Sequence, residues 1–306
     1  MGNISQKFKS LFVPKKIGIF LLDNLSKYIK SDEWFIKTKY RLKMGRRLDL
    51  QNPQSFTEKL QWLKLYDRQP LYPTLVDKYS VKEYVAKVIG EEYVIPSLGV
   101  WDSFDEIDFS ILGKQFVLKT THAGGSSGVV ICKDISEFDY DGSRKKLQSS
   151  LHFDTYWVIR EWPYKMVKHR IIAEQLLKCN DGDLKDYKFY CFNGEPKVLL
   201  VASNRFTTHN FNYFDMNFND LPITSCDGPR STKPIPKPQN FQKMIEIAKS
   251  LSTGIPHVRV DLYNVDGKIY FGELTLYDSS GYDNMSSEKW NEQFGKWLTL
   301  PDKKTC

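Results

Sequence analysis

The chain has 306 residues, of which 41% are hydrophobic and 14% aromatic, with a formal net charge of +7. That length and apolar content suit a folded protein of one large or two to three smaller domains and exclude a disordered chain. The five cysteines and five histidines are scattered without C-x-x-C or metal-ligand spacing, no run reaches transmembrane length and no signal-peptide pattern opens the chain, which together point to a reducing, cytoplasmic compartment.

The charge is uneven. Residues 1–50 hold twelve Lys and Arg against four Asp and Glu, so the excess lies in this arm and the remainder is near −1. Pro14 suits the first turn of a helix over 14–29, with Leu21, Leu22, Leu25, Tyr28 and Ile29 as an apolar stripe. Lys15, Lys16, Lys27 and Lys30 flank the stripe, which fits either an anionic membrane surface or packing on the domain itself. No nucleic-acid recognition motif accompanies the basic arm.

Asn52-Pro53-Gln54-Ser55-Phe56-Thr57-Glu58 reads as a turn entering a helix, with Ser55 or Thr57 as its cap. Asp77-Lys78 opens another helix that ends near Gly90, and residues 94–101 suggest a short strand and a turn. Phe116-Val117-Leu118-Lys119 and Val129-Val130-Ile131-Cys132 are strands joined by a loop containing Gly124, Gly125, Ser126, Ser127 and Gly128. Such a loop lets backbone N–H groups fold over phosphate oxygens, with Lys119 adding a charge, or serves as a plain flexible connection. No helix follows the glycines, which excludes a Walker A loop and a Rossmann fingerprint.

A helix over 143–151 follows. Ile171-Ile172-Ala173-Glu174-Gln175-Leu176-Leu177 and Asp186-Tyr187-Lys188-Phe189-Tyr190-Cys191-Phe192 read as strands, the second closed by an Asn193-Gly194 turn. Residues 224–238 form a Pro- and Gly-containing loop before a helix over 241–251, and a final helix spans 288–298.

Between these helices lies a β-hairpin, His257-Val258-Arg259-Val260-Asp261-Leu262-Tyr263 followed by Lys268-Ile269-Tyr270-Phe271-Gly272-Glu273-Leu274-Thr275. A two-residue Asp266-Gly267 turn sets Asp261 opposite Gly272 and leaves Glu273 on the other face. A three-residue loop over 265–267, with Gly267 at positive φ, puts both carboxylates on one face. Two carboxylates and an arginine are costly to bury together without partners, and a divalent cation removes that cost; an exposed face of ordinary surface charges is the plainer alternative.

The order of these pieces resembles the ATP-grasp fold, and more closely the TupA-like ATP-grasp family of bacterial surface-polysaccharide and teichuronopeptide synthesis. Its marks are Asn-Pro-x-Ser-Phe-Thr-Glu-Lys-Leu-Gln-Trp from Asn52, Leu-Val-Asp-Lys-Tyr from Leu75, Arg-Glu-Trp-Pro-Tyr from Arg160, Asp-Tyr-Lys-Phe from Asp186 and Val-Arg-Val-Asp-Leu-Tyr from Val258. The resemblance implies an α+β protein with two lobes clamping ATP. Its regions are a basic helical arm over 1–50, an N-terminal region over 51–114, a central clamp lobe over 115–178 and a C-terminal lobe over 179–306. It further implies that Lys78 and Lys119 contact ATP phosphates under a lid made by Gly124, Gly125, Ser126, Ser127 and Gly128. Glu174, Gln175 and Leu176 form the adenine hinge, Asp186 holds the ribose hydroxyls, Lys188 is a further nucleotide-binding residue, and Asp261 and Glu273 ligate magnesium. Thr275 stands where many relatives have Asn, as a direct ligand or as a holder of metal-bound water. Asp278-Ser279 replaces the usual Pro-Gly.

The implied reaction joins a carboxylate and an amine through an acyl-phosphate, with Arg259 and Lys119 stabilising developing charge. The implied substrates are a uronic-acid or polysaccharide carboxylate and an amino-acid or amino-sugar amine. The rival enzyme reading is a glycosyltransferase using Asp181-Gly182-Asp183, and a non-catalytic membrane-bound scaffold is a third.

Overall fold

The computed structural model describes residues 14–205, 207–283 and 287–303. Residues 1–13 of the basic arm and Cys306 lie outside the described residues. Helix α1 (Pro14–Asn24) is followed by a single 3₁₀ turn, Ser26–Tyr28, so the helix expected to reach residue 29 stops earlier. Helix α2 (Asp32–Met44) is capped by the Ser31 side chain, carries Asp32 and Glu33 in its first turn and ends at Gly45 with φ 74°. Its Ile36 and Tyr40 are buried in the main core, so the second half of the basic arm packs as part of the body.

Helix α3 (Phe56–Tyr66) opens with a capping box between Ser55 and Glu58, which selects Ser55 over Thr57 as the cap. Phe56, Leu60 and Leu63 turn inward from it. After the short α4 (Tyr72–Val76), helix α5 (Ser80–Ile89) begins three residues later than the sequence suggested. The Asp77 carboxylate accepts from the Tyr79 N–H at 2.9 Å and the Ser80 hydroxyl at 2.8 Å, a turn that leaves Lys78 ahead of the helix.

The smaller lobe holds β1 (Ser97–Trp101), β2 (Phe116–Thr120), β3 (Val129–Cys132), α6 (Tyr140–His152), α7 (Thr155–Ile159) and β4 (Ile171–Gln175). Its antiparallel strands run in the order β1-β4-β2-β3. Alternation sends Phe116, Leu118, Ile171 and Ala173 into a core shared with Leu147 of α6. The opposite face, with Val117 paired to Glu174 and Lys119 paired to Ile172, is turned to a cleft.

The larger lobe holds β5 (Asp186–Phe192), β6 (Glu195–Ser203), β7 (Asn210–Phe214), β8 (Asp220–Leu221), α8 (Phe241–Ser252), β9 (His257–Val265), β10 (Lys268–Thr275) and α9 (Glu288–Trp297). Its antiparallel sheet has the order β10-β9-β5-β6-β7-β8. Phe241, Met244, Ile247 and Leu251 of α8 share the core with Phe189, Val260 and Leu262, so one sheet face is apolar and covered.

Asp266 and Gly267 have φ of 50° and 94°, a two-residue turn and not a three-residue loop. Pairing is regular to Phe271 opposite Leu262, then Gly272 is inserted as a bulge and Glu273 falls opposite Asp261. The shared face of the two carboxylates therefore arises inside the strand. A side chain at 272 would bring its Cβ to 3.0 Å from the Asp261 carbonyl oxygen, which is why glycine stands there.

Candidate active site

On the face of the larger sheet opposite α8, pairing aligns polar residues in rows. Lys188, Asp261 and Glu273 form one row across β5, β9 and β10. Asp186 and Tyr263 form the row on one side of it, and Tyr190, Arg259 and Thr275 the row on the other. Asp-x-Lys on β5 and Arg-x-Asp on β9 thus interlock because residues two apart share a face.

Arg259 is the hub. Its Nε donates to Asp261 Oδ1 and its terminal nitrogen to Asp261 Oδ2, both at 2.8 Å, a bidentate pairing. It also donates to Glu273 at 3.2 Å and to the Asp278 carboxylate. Lys188 donates to Asp261 from the neighbouring strand. The Asp278 carboxylate also accepts from the Tyr190 hydroxyl at 3.0 Å. Burial pushes the Asp261 carboxyl up, against the pull of Arg259 and Lys188. Burial also opposes ionisation of Glu273, but Lys78, Lys188, Arg259 and Lys119 outweigh it and hold that carboxyl at about 2.

The small lobe and the residues around the start of α5 supply the facing charges. Glu174 is buried and bridges Lys82 and Lys119, each at 2.6 Å. Its burial is outweighed by the two lysines, which bring its carboxyl down to about 2. Lys78 reaches across the glycine loop and donates to the Ala123 carbonyl at 2.5 Å. Within that loop residues 124–127 are exposed, Gly125 has φ 63°, and Gly128 is pinned because a Cβ there would lie 2.0 Å from Thr120 Oγ1.

Between the lobes lies a cleft of about 350 Å³. Val117, Val129, Ile131 and Ile95 give it an apolar floor, and Lys119, Glu174, Gln175 and Leu176 line its edge. Arg205 and Tyr263 close the other end, with Arg205 paired to the buried Asp186 carboxylate. An apolar slot with a few convergent polar groups suits a planar ring bearing a charged tail.

The structure therefore brings Lys119, Glu174, Gln175 and Leu176 together at the cleft, and Lys188, Arg259, Asp261, Glu273 and Thr275 together on the larger sheet. Asp181 and Asp183 flank Gly182 in a turn at the rim of the cleft, and both pair with Lys185. Among the described residues no group of three or more His, Cys, Asp or Glu gathers around a common metal position. Sequence reasoning missed Lys82, Arg205 and Asp278. In the sequence Lys82 is signalled only by its place four residues after Lys78, and Asp278 only by standing where the family's usual Pro-Gly is altered.

A family model described as TupA-like ATPgrasp matches residues 58–299. The chain belongs to that family. The two antiparallel sheets around the cleft are the lobes of its α+β ATP-grasp fold, in which the basic helices precede the matched region. Among solved structures this TupA-like chain is similar to an ADP complex of purK, an N5-carboxyaminoimidazole ribonucleotide synthetase, at 19% identity and a TM-score of 0.44, covering 72% of this chain and 50% of that one. It is also similar to a D-alanine–D-alanine ligase from Bacillus anthracis, at 18% identity and a TM-score of 0.37, covering 66% of this chain and 57% of that one. A third, the ATP-grasp ligase PsnB complexed with minimal precursor, Mg and ADP, has 12% identity and a TM-score of 0.40, with coverage of 91% and 75%. The chain spans about half the length of the first two. No curated protein matches it.

Proposed function

We propose that the protein is an ATP-dependent carboxylate–amine ligase that forms an amide through an acyl-phosphate and releases ADP and phosphate. The observation that carries this reading is the row Lys188, Asp261 and Glu273, with Glu273 held ionised by lysines of both lobes. Phosphoryl transfer needs positioned cations more than a protein nucleophile, and these residues are of that kind.

Two hard carboxylates opposite each other on one face, with a threonine hydroxyl one row away, fit magnesium. Asp261 and Glu273 would hold it, with Thr275 as a ligand or as the holder of its water. Bound there, magnesium supplies charge neutralisation to phosphate oxygens. Lys78, Lys119 and Lys188, now paired with carboxylates or carbonyls, would move to phosphates under the 124–128 loop. Glu174 sets the position of Lys119, and the backbone at Gln175 and Leu176 takes the adenine edge while Val117, Val129 and Ile131 cover its ring. Asp186 with Arg205 would meet the ribose. The substrate carboxylate oxygen attacks the γ-phosphorus and displaces ADP. The amine nitrogen then attacks the acyl carbon, phosphate leaves, and the nitrogen gives up a proton. Arg259 keeps Asp261, Glu273 and Asp278 in place through both steps.

The family context supports a uronic-acid or other sugar carboxylate and an amino-acid or amino-sugar amine, in bacterial surface-polysaccharide synthesis. Phosphate release from ATP and magnesium, measured with panels of sugar acids and amines, tests the reaction. Release that needs both co-substrates supports it. Sugar-nucleotide turnover that is lost on Asp181→Asn or Asp183→Asn would replace it with the glycosyltransferase reading.

The N-terminal helices support a cytoplasmic protein in peripheral contact with an anionic membrane. No described helix is long and apolar enough to cross one. Leu22 turns inward, but Phe20 (61% exposed), Leu21 (52%), Leu25 (54%), Tyr28 (82%) and Trp34 (54%) face outward. Lys15, Lys16, Lys27 and Lys30 are exposed beside them.

A further inference from the structure

Two of the family's sequence marks, the stretch from Asn52 and the stretch from Arg160, supply no lining to the nucleotide cleft and no member of the Lys188–Asp261–Glu273 row. They meet elsewhere. Gln61 and Lys64, both 0% exposed on the inner face of α3, reach the turn Asp278–Gly281 that follows β10. Gln61 Nε2 donates to the carbonyls of Ser280 at 3.0 Å and Gly281 at 2.8 Å. Lys64 Nζ donates to the Ser280 carbonyl at 2.5 Å, the Ser280 hydroxyl at 2.6 Å and the Ile159 carbonyl at 3.1 Å. Glu161 is buried next to this ammonium, and the Tyr282 ring lies 4.5 Å from it.

The turn they hold is unusual. Ser279, Ser280 and Gly281 have φ of 47°, 55° and 66°, three left-handed residues in succession, two of which bear side chains that disfavour that region. Such a backbone persists only where its surroundings over-determine it. Its first residue is Asp278, which meets Arg259 and the Tyr190 hydroxyl at the edge of the carboxylate row.

We propose that Gln61 and Lys64 are positioning residues for the acceptor side of the site: they clamp the Asp278–Gly281 turn in its left-handed course and so hold Asp278 against Arg259. This rests on the ligase reading, in which the carboxylate and amine approach from beyond the metal row. The clamp explains why a buried lysine and a buried glutamine stand on a helix remote from the nucleotide cleft. It also gives the Asp-Ser-Ser-Gly sequence a purpose in place of Pro-Gly, because the turn's shape is set from outside by α3 and not by proline.

The test compares wild type, Lys64→Met, Gln61→Met and Lys64→Met/Ser280→Gly. Hydrogen exchange over residues 277–283 should rise in both single variants, while thermal stabilisation by Mg·ATP stays at the wild-type value. Phosphate release with a uronic acid and an amine used by the wild type should lose up to about 100-fold in kcat/KM, the scale of a small misplacement, with KM for ATP unchanged. Ser280→Gly should restore part of that loss, since glycine takes the left-handed φ without the clamp. Unchanged exchange at 277–283 in Lys64→Met and Gln61→Met would overturn the clamp, as would loss of Mg·ATP stabilisation in Gln61→Met. If Lys64→Met fails to fold, Gln61→Met, which keeps the lysine, decides the matter. Absence of Mg·ATP stabilisation in the wild type would instead overturn the ligase reading, and the exchange result would still judge the clamp.

Discussion

Glu273 lies directly opposite Asp261 even though a two-residue turn joins their strands, because Gly272 adds one residue to β10 between them. The bulge costs one regular ladder position and places two carboxylates on one face beside Arg259. Gly272→Val should therefore disturb the metal row before it disturbs the fold. Its Cβ would press on the Asp261 carbonyl at 3.0 Å and on the Tyr263 ring at 3.2 Å. A loss of about 1–3 kcal/mol in stability is expected, the usual range for overpacking, together with slower ATP-dependent phosphate release. Denaturant unfolding measures the first and single-turnover phosphate release the second.

Glu174 couples the lobes' charges to acid stability. Its carboxyl stands at about 2 in the folded chain against an ordinary 4.5, so its stabilising contribution is complete above about 4.5 and is lost as pH falls toward 2. The desolvation that lowers the Lys82 pKa offsets part of that gain. Glu174→Gln leaves two half-buried lysines without their carboxylate, although Lys82 keeps the Ile95 carbonyl, and should cost about 3 kcal/mol at neutral pH. Its stability should fall less steeply than wild type between pH 4.5 and 2, read from urea unfolding across that window.

The glycine loop divides into a free and a pinned half. A side chain at Gly124 meets nothing within 4 Å, whereas one at Gly128 collides with Thr120 Oγ1 at 2.0 Å and Ser150 Oγ at 2.7 Å. Gly124→Ala should keep wild-type stability and Gly128→Ala should lose it, as thermal unfolding will show. Exchange over residues 120–130 should slow when ATP and magnesium are added. Unchanged exchange at saturating nucleotide would remove the lid assignment.

What the sequence disclosed follows from how local each signal is. β2, β3, β5, β9 and β10 announce themselves by runs of Val, Ile, Tyr and Phe bounded by glycine or Asn-Gly, and the turn before Phe56 announces α3 while leaving its cap open between Ser55 and Thr57. Lys188, Asp261 and Arg259 were legible because residues two apart on a strand share a face. The rest depends on contacts distant in sequence. Lys82 pairs with Glu174 on another element, and Asp278 acquires its meaning only from Arg259 and Tyr190. The Gly272 bulge left no mark beyond a glycine in a strand, which has several readings. Helix α2 lies in a basic stretch whose charges mask its inward-facing Ile36 and Tyr40, both fully buried.

The exposed apolar and basic face of α1 and the turn after it should bind anionic vesicles reversibly, and more weakly as salt shortens the screening length to ~10 Å or less. Cosedimentation with phosphatidylserine-containing vesicles at low salt should fall when Phe20, Leu21 and Leu25 are replaced by Ser, or when Lys27 and Lys30 are replaced by Glu. Equal cosedimentation of these variants and wild type would remove the membrane contact.

Glu273→Gln tests the ligase reading most directly. Its side chain is 36% exposed and carries a weaker tie to Arg259 than Asp261 does, so the neutral amide should spare the fold. Asp261→Asn, by contrast, removes the bidentate partner of a buried arginine and should cost about 3 kcal/mol in stability as well. Nucleotide affinity should survive in Glu273→Gln, because the adenine edge and ring are held at the other lobe. ATP-dependent phosphate release with the carboxylate and amine should fall by about 10²–10³-fold, the loss expected when one preorganised electrostatic contact disappears. The measurement is single-turnover phosphate release by folded Glu273→Gln beside wild type at saturating Mg·ATP. A fall of that size is the expected result, and wild-type release from the folded variant would contradict the assignment of this hairpin to phosphoryl transfer.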